Sequence, residues 1–342
     1  MEKNQNSKLT SSELAEIWGA YINASLTSTV LKYFIQKVED NEIEAVIQHA
    51  LDMTQTQLEE LTTFFHQENK SVPIGFTDQD VNINAPNLYT DNFFLQYVYQ
   101  IGTLGMFSFS GAVGMSTRED VYSFFSEGLS KYNELHQKAL TVSIEKGLYT
   151  KPPSIPTLNN VDFVQKQSFL TGWFGNRRPL TAIEIANLFS HIQRNSLGIA
   201  TLTGFSQVAK LKEVREYILR GIEIARKQIN VFHSILEEGQ VPTPMGSDAM
   251  VTDSNKISPF SDKLMLFHVT GMIAIGISFY GMSVSTNIRR DLAANYTRLS
   301  GEIALYSEDG AELMISNGWL EEPPRMVDRD ELAKSKQDGR GN

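Results

Sequence analysis

Metal chemistry in helical proteins needs inward carboxylates and histidines one helical turn after a glutamate, because Glu-x-x-His places both ligands on one face. The six histidines stand at 49, 66, 136, 191, 233 and 268, and none follows a glutamate by three positions. Cysteine is absent, which removes disulfides, thiolate metal sites and thiol nucleophiles together. Neither a Gly-rich phosphate loop nor a nucleophile elbow occurs. What remains is a small set of polar residues inside apolar periodicities: Ser25, Gln57, Ser196, Gln228 and His268. Serine and glutamine are neutral groups that hydrogen-bond to one another in a core more readily than they hold a cation. His268 lies in an uncharged helical stretch, which suits a hydrogen-bonded core histidine better than a ligand or general base. These five are pocket candidates. No catalytic, cofactor-binding or metal-ligating residue is assigned, and no cofactor is expected, a metal ion being the alternative. The run Gly172-Trp173-Phe174-Gly175-Asn176-Arg177-Arg178-Pro179 could bind an anion, but a turn joining two domains explains it more simply.

The elements that position these residues come in two copies. A shift of 171 residues places Leu9-Thr10 on Leu180-Thr181, Glu13 on Glu184, Ser25-Leu26 on Ser196-Leu197, Phe34 on Phe205 and Gln57 on Gln228. The same register, without a gap, pairs Pro73 with Pro244, Gly75 with Gly246, Asp91 with Asp262, Asp120 with Asp291, and Pro152-Pro153 with Pro323-Pro324. A period this long marks duplicated domains rather than a solenoid unit, and 342 residues suffice for two cores. The division expected is a first bundle over 1–153, a connection over 154–179, a second bundle over 180–326 and a charged, disordered tail over 327–342.

Within each copy the apolar period is helical. Leu14, Ile17, Trp18, Tyr21 and Ile22 form a stripe at three-to-four spacing in a first helix over 11–38. Thr10-x-x-Glu13 and Thr181-x-x-Glu184 have the form of a capping box. Second helices are predicted over 42–67 and 213–238, third helices from Asp91 and Asp262, and fourth helices over 118–145 and 289–316, closed by Gly147 and Gly318. Four helices per copy make an all-α pair of four-helix bundles. The shared acids, Glu13/Glu184, Glu42/Glu213, Asp91/Asp262 and Asp120/Asp291, all fall at helix beginnings, where they cap and complement the dipole. The uncharged runs 92–117 and 264–288 could span a bilayer by length. Their Gln, Ser, Thr and His residues favour instead helices buried on all sides where the bundles meet, so no membrane span is expected. The connection carries Phe169, Leu170, Trp173 and Phe174, and is expected to pack across the junction.

A net charge of -10 and a pI near 5.2 argue against a nucleic-acid surface. Met1 to Thr10 has no basic segment followed by an apolar core, so a cytoplasmic location is the default expectation.

The phrases FTDQDVNINAP, VDFVQKQSFL, RNSLGIATLTGFSQVAK, SPFSDKLMLFHVT and RRDLAANY resemble an uncharacterised family of duplicated ferritin-like bundle proteins from spore-forming bacteria. That family is similar at a distance to spore coat protein F. The resemblance covers about Leu9 to Asp330. It implies a tandem ferritin-like fold and an association with the spore, and little about activity. In relatives a histidine often stands where this chain has Gln57 and Gln228, a departure in both copies that weakens any metal function. Two expectations follow. One is a non-catalytic structural or interaction protein of the spore or its coat, acting through protein partners or self-association. The alternative is a degenerate ferritin-like protein that binds a metal ion or small ligand inside a bundle.

Overall fold

Thr10 starts the first helix through a reciprocal pair of bonds: the Glu13 amide donates to its hydroxyl at 3.2 Å and its own amide donates to the Glu13 carboxylate at 2.8 Å. The computed structural model describes residues 8–157, 160–173, 177–244, 250–252 and 256–329. Helices α1 (Ser11–Phe34), α2 (Asn41–Gln67), α3 (Asp91–Met115) and α4 (Glu119–Glu145) form the first bundle. Their counterparts α5 (Ala182–Val208), α6 (Lys212–Glu238), α7 (Asp262–Thr286) and α8 (Arg290–Ser316) form the second. Gly147 and Gly318 both take the left-handed conformation, with φ of 67°, that ends α4 and α8. The first helix stops at Phe34, four residues before the expected end.

The shared acids fix the order of the helices. Asp91 at the start of α3 accepts the amides of Glu39 and Asp40, at 3.1 and 2.7 Å, in the turn between α1 and α2. Asp262 accepts those of Lys210 and Leu211, at 3.1 and 2.7 Å, in the matching turn. The third helix of each copy therefore begins at the end of the bundle where the second began, and the connection between them runs the bundle's length. Glu13 then accepts the Thr117 and Arg118 amides, each at 2.8 Å, so α4 begins beside the start of α1. Glu184 does the same for Arg289 at 3.1 Å. One long crossover per bundle is the connectivity that the resemblance implied.

The two crossovers pair with each other. The Asn82 amide donates to Pro259 O at 2.7 Å and Ser261 to Asp80 O at 3.0 Å, while Thr90 donates to Met250 O and Thr252 to Leu88 O at 3.1 and 3.0 Å. Isolated antiparallel bridges join Val81 to Phe260 and Tyr89 to Val251. This is the isologous pattern of a two-fold dimer, built within one chain. Tyr89 extends it by donating to Thr201 O of α5 at 2.7 Å, and buried residues of both halves form one continuous core.

Two expectations change. The connection does not pack along its length: Val161, Phe163 and Val164 are exposed, Val161 at 91%. Ile155 at its start packs against the core, and its end is anchored onto the second bundle, where Arg178 stacks on Phe169 at 4.2 Å and pairs with Glu184 at 2.7 Å. Phe174, and Gly246 of the second loop, lie outside the described residues, as does the tail beyond 329. Second, α3 and α7 are not buried all round, since Phe107 and Met282 are about half exposed. Among the described residues, α7 has the length and apolar composition to cross a membrane, and it packs along α8 and against α5 and α6 as a bundle helix. Other residues of the two helices, among them Ile101 and Leu104 of α3 and Met272 and Ile273 of α7, border a gap between the bundles. Beyond α8, Glu321 accepts the Ile74 and Gly75 amides at 2.9 and 3.0 Å, strapping the second copy's end to the first copy's loop.

Candidate functional site

The gap is a chamber of about 550 Å³ enclosed chiefly by α1 and α3 on one side and α5, α6 and α7 on the other. Small residues hold it open. A Cβ at Gly19, Gly198 or Gly271 would meet nothing within 4 Å, and all three border the chamber. Most of the wall is apolar, with Leu26, Ile101, Leu104, Phe109, Met272 and Ile273 among its residues.

At the centre, Tyr97 of α3 meets His268 of α7, two positions related by the internal shift of 171, so the pair marks the pseudo-two-fold axis. Phe34 packs on Tyr97 with ring centres 5.1 Å apart, and its counterpart Phe205 packs on His268 at 5.6 Å. The Tyr97 hydroxyl lies 3.4 Å from His268 Nε2, longer than a well-formed hydrogen bond. What is accessible of His268 faces the chamber, and desolvation lowers its pKa to about 4. The imidazole is neutral at pH 7.

The polar groups gather at one end. His191, Arg194 and Asn195 occupy one face of α5 by their three-and-four spacing. The Arg194 guanidinium can only donate, so the 3.2 Å contact with His191 Nδ1 makes that nitrogen the acceptor. Nε2 then carries the proton and donates to Ser283 Oγ at 2.8 Å. Burial, and then the positive charge of Arg194, push the His191 pKa well below its ordinary value. Desolvation also lowers Arg194, to about 10. Its guanidinium lies 3.8 Å from the centre of the Phe279 ring. Among the described residues it forms no ion pair with a carboxylate. Beside it the Tyr280 hydroxyl accepts from Asn195 Nδ2 at 3.1 Å and donates to Gln228 Oε1 at 2.7 Å. Gln228 is 2% exposed, and its Nε2 has no partner.

The first bundle answers with a different construction. Gln57 is equally buried and also lacks a partner for Nε2, but its Oε1 receives the hydroxyl of Tyr132 from α4, at 3.1 Å. In the second copy the tyrosine comes from α7, Phe109 standing at its counterpart and Ile303 at the counterpart of Tyr132.

Family models match the chain twice, over residues 2–161 and 168–332, with the description "Protein of unknown function (DUF3231)". The chain belongs to the DUF3231 family. Its two matches divide at the exposed connection, so each bundle is one copy of the family's domain. No curated protein matches it. Among solved structures it is similar to a presumed spore coat protein of Bacillus halodurans, with 16% identity and a TM-score of 0.42 over 44% of this chain and 98% of that one.

Of the residues singled out in this DUF3231 sequence, Gln228 and His268 border the chamber, and Gln57 does not. Ser25 does not bond to Gln57. Its hydroxyl donates to Ile22 O at 2.8 Å and accepts the Phe76 amide at 3.1 Å, fastening the crossover to α1. Ser196 is half-buried and stays out of the chamber. A serine side chain reaches only its own turn or an adjacent backbone, whereas the longer glutamine reaches a tyrosine across the bundle. Among the described residues no three His, Asp or Glu side chains are placed to hold a metal ion. His191, Arg194, Asn195 and Tyr280 escape a search for shared residues because their counterparts are Ala20, Asn23, Ala24 and Phe109. The readable signal is His-x-x-Arg-Asn on a helix facing an uncharged one.

Proposed function

We propose that this DUF3231 protein is a non-enzymatic binding protein that takes a small, predominantly apolar molecule into the chamber between its bundles. The chamber itself carries the reading: a volume of about 550 Å³ with an apolar wall and a few converging polar groups is the usual form of a small-molecule site. The protonation states favour holding over proton transfer, since desolvation keeps both His191 and His268 neutral at pH 7, far from the matched pKa a general base requires. The alternative expected from sequence, a ligand inside one bundle, becomes a ligand between the two. The test is titration with the neutral fluorescent probe N-phenyl-1-naphthylamine. One site per chain is expected in the native protein, and its loss in Gly271→Leu, which fills the chamber from a position where an added Cβ meets nothing within 4 Å. Equal binding by both proteins overturns the reading.

A second reading, an interaction protein associated with the spore, draws support from the exposed Val161, Phe163, Val164 and Trp173 of the connection and from the sequence resemblance. A fluorescent fusion is expected to collect on the developing spore, and a uniform signal in the vegetative cytoplasm counts against it.

A further inference from the structure

The polar end of the chamber has an excess of donors. Arg194 is half-buried, touches a neutral imidazole and an aromatic face, and forms no ion pair with a carboxylate among the described residues. A desolvated cation without a counter-charge is costly, and the ring face of Phe279 recovers only part of that cost. On the other side of Tyr280, the Gln228 amide nitrogen is buried against the chamber with nothing to donate to. Among the described residues, the one acidic side chain in the wall is Glu16, on α1 of the other bundle; it makes no ion pair with Arg194, and burial raises its pKa. Among the described residues, donors and a positive charge therefore stand at one end of a mostly apolar space with no carboxylate paired to them. The missing partner is an acceptor with a single negative charge: one arginine balances a carboxylate, whereas a phosphate dianion calls for further cations. The rest of the wall, from Leu26 and Ile101 to Met272 and Ile273, asks for a hydrocarbon body.

Resting on the chamber reading above, we infer that the ligand is an amphipathic monocarboxylate, its head paired with Arg194 and its hydrocarbon chain lying along the apolar wall between α1, α3 and α7. The polar end is single, because the first copy has Asn23 and Ala20 where the second has Arg194 and His191. The carboxylate thus has one place to go and the ligand one orientation.

Three probes of equal chain length separate the possibilities: decanoate, 1-decanol and decyltrimethylammonium, each measured by displacement of N-phenyl-1-naphthylamine from the full chain at pH 7. Decanoate is expected to bind at least tenfold more tightly than decanol, and the ammonium probe more weakly than either. In Arg194→Met, which keeps the apolar stem and removes the charge, the decanoate preference is expected to vanish while decanol affinity stays within twofold. Decanol binding as tightly as decanoate to the native chain overturns the carboxylate assignment and leaves the chamber reading standing. A preference that survives in Arg194→Met overturns the role of Arg194. Failure of all four probes, the naphthylamine included, overturns the chamber reading and this inference with it. The comparison on the native chain decides the head group even where the variant does not fold.

Discussion

Glu13 and Glu184 should govern how this protein responds to acid. Glu13 is 1% exposed and Glu184 fully buried. Burial alone raises the pKa of each, but the hydrogen bonds win. For Glu13 these come from the amides of Thr10, Arg118 and Thr117 and from the Thr10 hydroxyl; for Glu184 they come from Arg178 and the amides of Thr181 and Arg289. Each carboxyl falls from an ordinary 4.5 to about 2. A tenfold change in proton affinity corresponds to about 1.4 kcal/mol, so each site contributes about 3 kcal/mol of stability while ionised. The folded pKa lies below the unfolded one, so this stability is fully present above pH 4.5 and is lost as the pH falls toward 2.

Glu13→Gln removes the charge and turns an amide group toward backbone donors. It should cost about 3 kcal/mol at pH 7, the usual scale for breaking a buried charged hydrogen-bond set. Glu184→Gln should cost at least as much, because it also strips Arg178 of its partner. Urea unfolding followed by circular dichroism, from pH 7 down to pH 2.5, reads both effects. The native chain should hold its midpoint above pH 5 and lose it steeply below 4.5, and each variant should show a shallower acid slope. A native midpoint that is the same at pH 3 and pH 6, or a Glu13→Gln variant within 0.5 kcal/mol of native at pH 7, would refute the reasoning. Because one core spans both halves, each variant should lower a single transition rather than split off one bundle.

Equivalent glycines should respond with opposite sign. A Cβ at Gly105 would lie 2.1 Å from the Tyr132 ring, so Gly105→Ala should cost about 1–3 kcal/mol. At Gly276 the nearest atom, Ile303 Cδ1, is 3.5 Å away, so Gly276→Ala should be neutral or up to about 1 kcal/mol stabilising through helix propensity; thermal unfolding of the two variants compares them directly. Tyr132→Phe and Tyr280→Phe each leave a buried glutamine with neither its oxygen nor its nitrogen satisfied, for a loss of about 1–3 kcal/mol in urea titrations. Both tyrosines border the chamber, but Tyr280 alone accepts from Asn195 beside Arg194, so Tyr280→Phe should weaken decanoate binding the more.

Helix positions and the roles of the shared acids are legible in the sequence because they obey local rules. Thr10 and Glu13 are three residues apart, and a capping box needs nothing else. The second half of what Glu13 does is not legible, because its contacts with Thr117 and Arg118 span more than a hundred residues and depend on where α4 starts. The same holds for Asp91 and Asp262, read as caps and found to tie neighbouring turns together. The connection shows the opposite failure. Its aromatic residues suggest burial, yet apolar composition states a preference without stating whether a surface is available to satisfy it, and Val161 and Phe163 find none. The chamber depends on the distance between two bundles, which no periodicity encodes.

Comparing the two copies separates scaffold from site. Positions that keep their residue, Glu13/Glu184, Asp91/Asp262 and Asp120/Asp291, make tethers that recur in both copies, to which Glu13 adds Thr117 and Glu184 adds Arg178. Arg118 and Arg289 hold Asp120 and Asp291 at 2.7 and 2.6 Å. Positions that differ, Ala20/His191, Asn23/Arg194, Ala24/Asn195, Phe109/Tyr280 and Ala112/Ser283, are those that build the polar end of the chamber. A symmetric pair of bundles would offer a ligand two equal ends and hence two orientations. Divergence at these five positions leaves Arg194 at one end and Asn23, without a cation, at its counterpart. A bundle of this kind folds without that asymmetry, as the first copy shows, and the asymmetry is what a site for a molecule with a single polar head requires. Exchanging the two ends is the corresponding test of orientation: Asn23→Arg with Arg194→Asn should restore the decanoate preference that Arg194→Met removes, because the pseudo-two-fold places the new guanidinium at the mirror position of the same chamber. Loss of binding in the exchanged protein with an unchanged unfolding midpoint would mean that His191, Asn195 and Tyr280, and not the charge alone, determine where the head group lies.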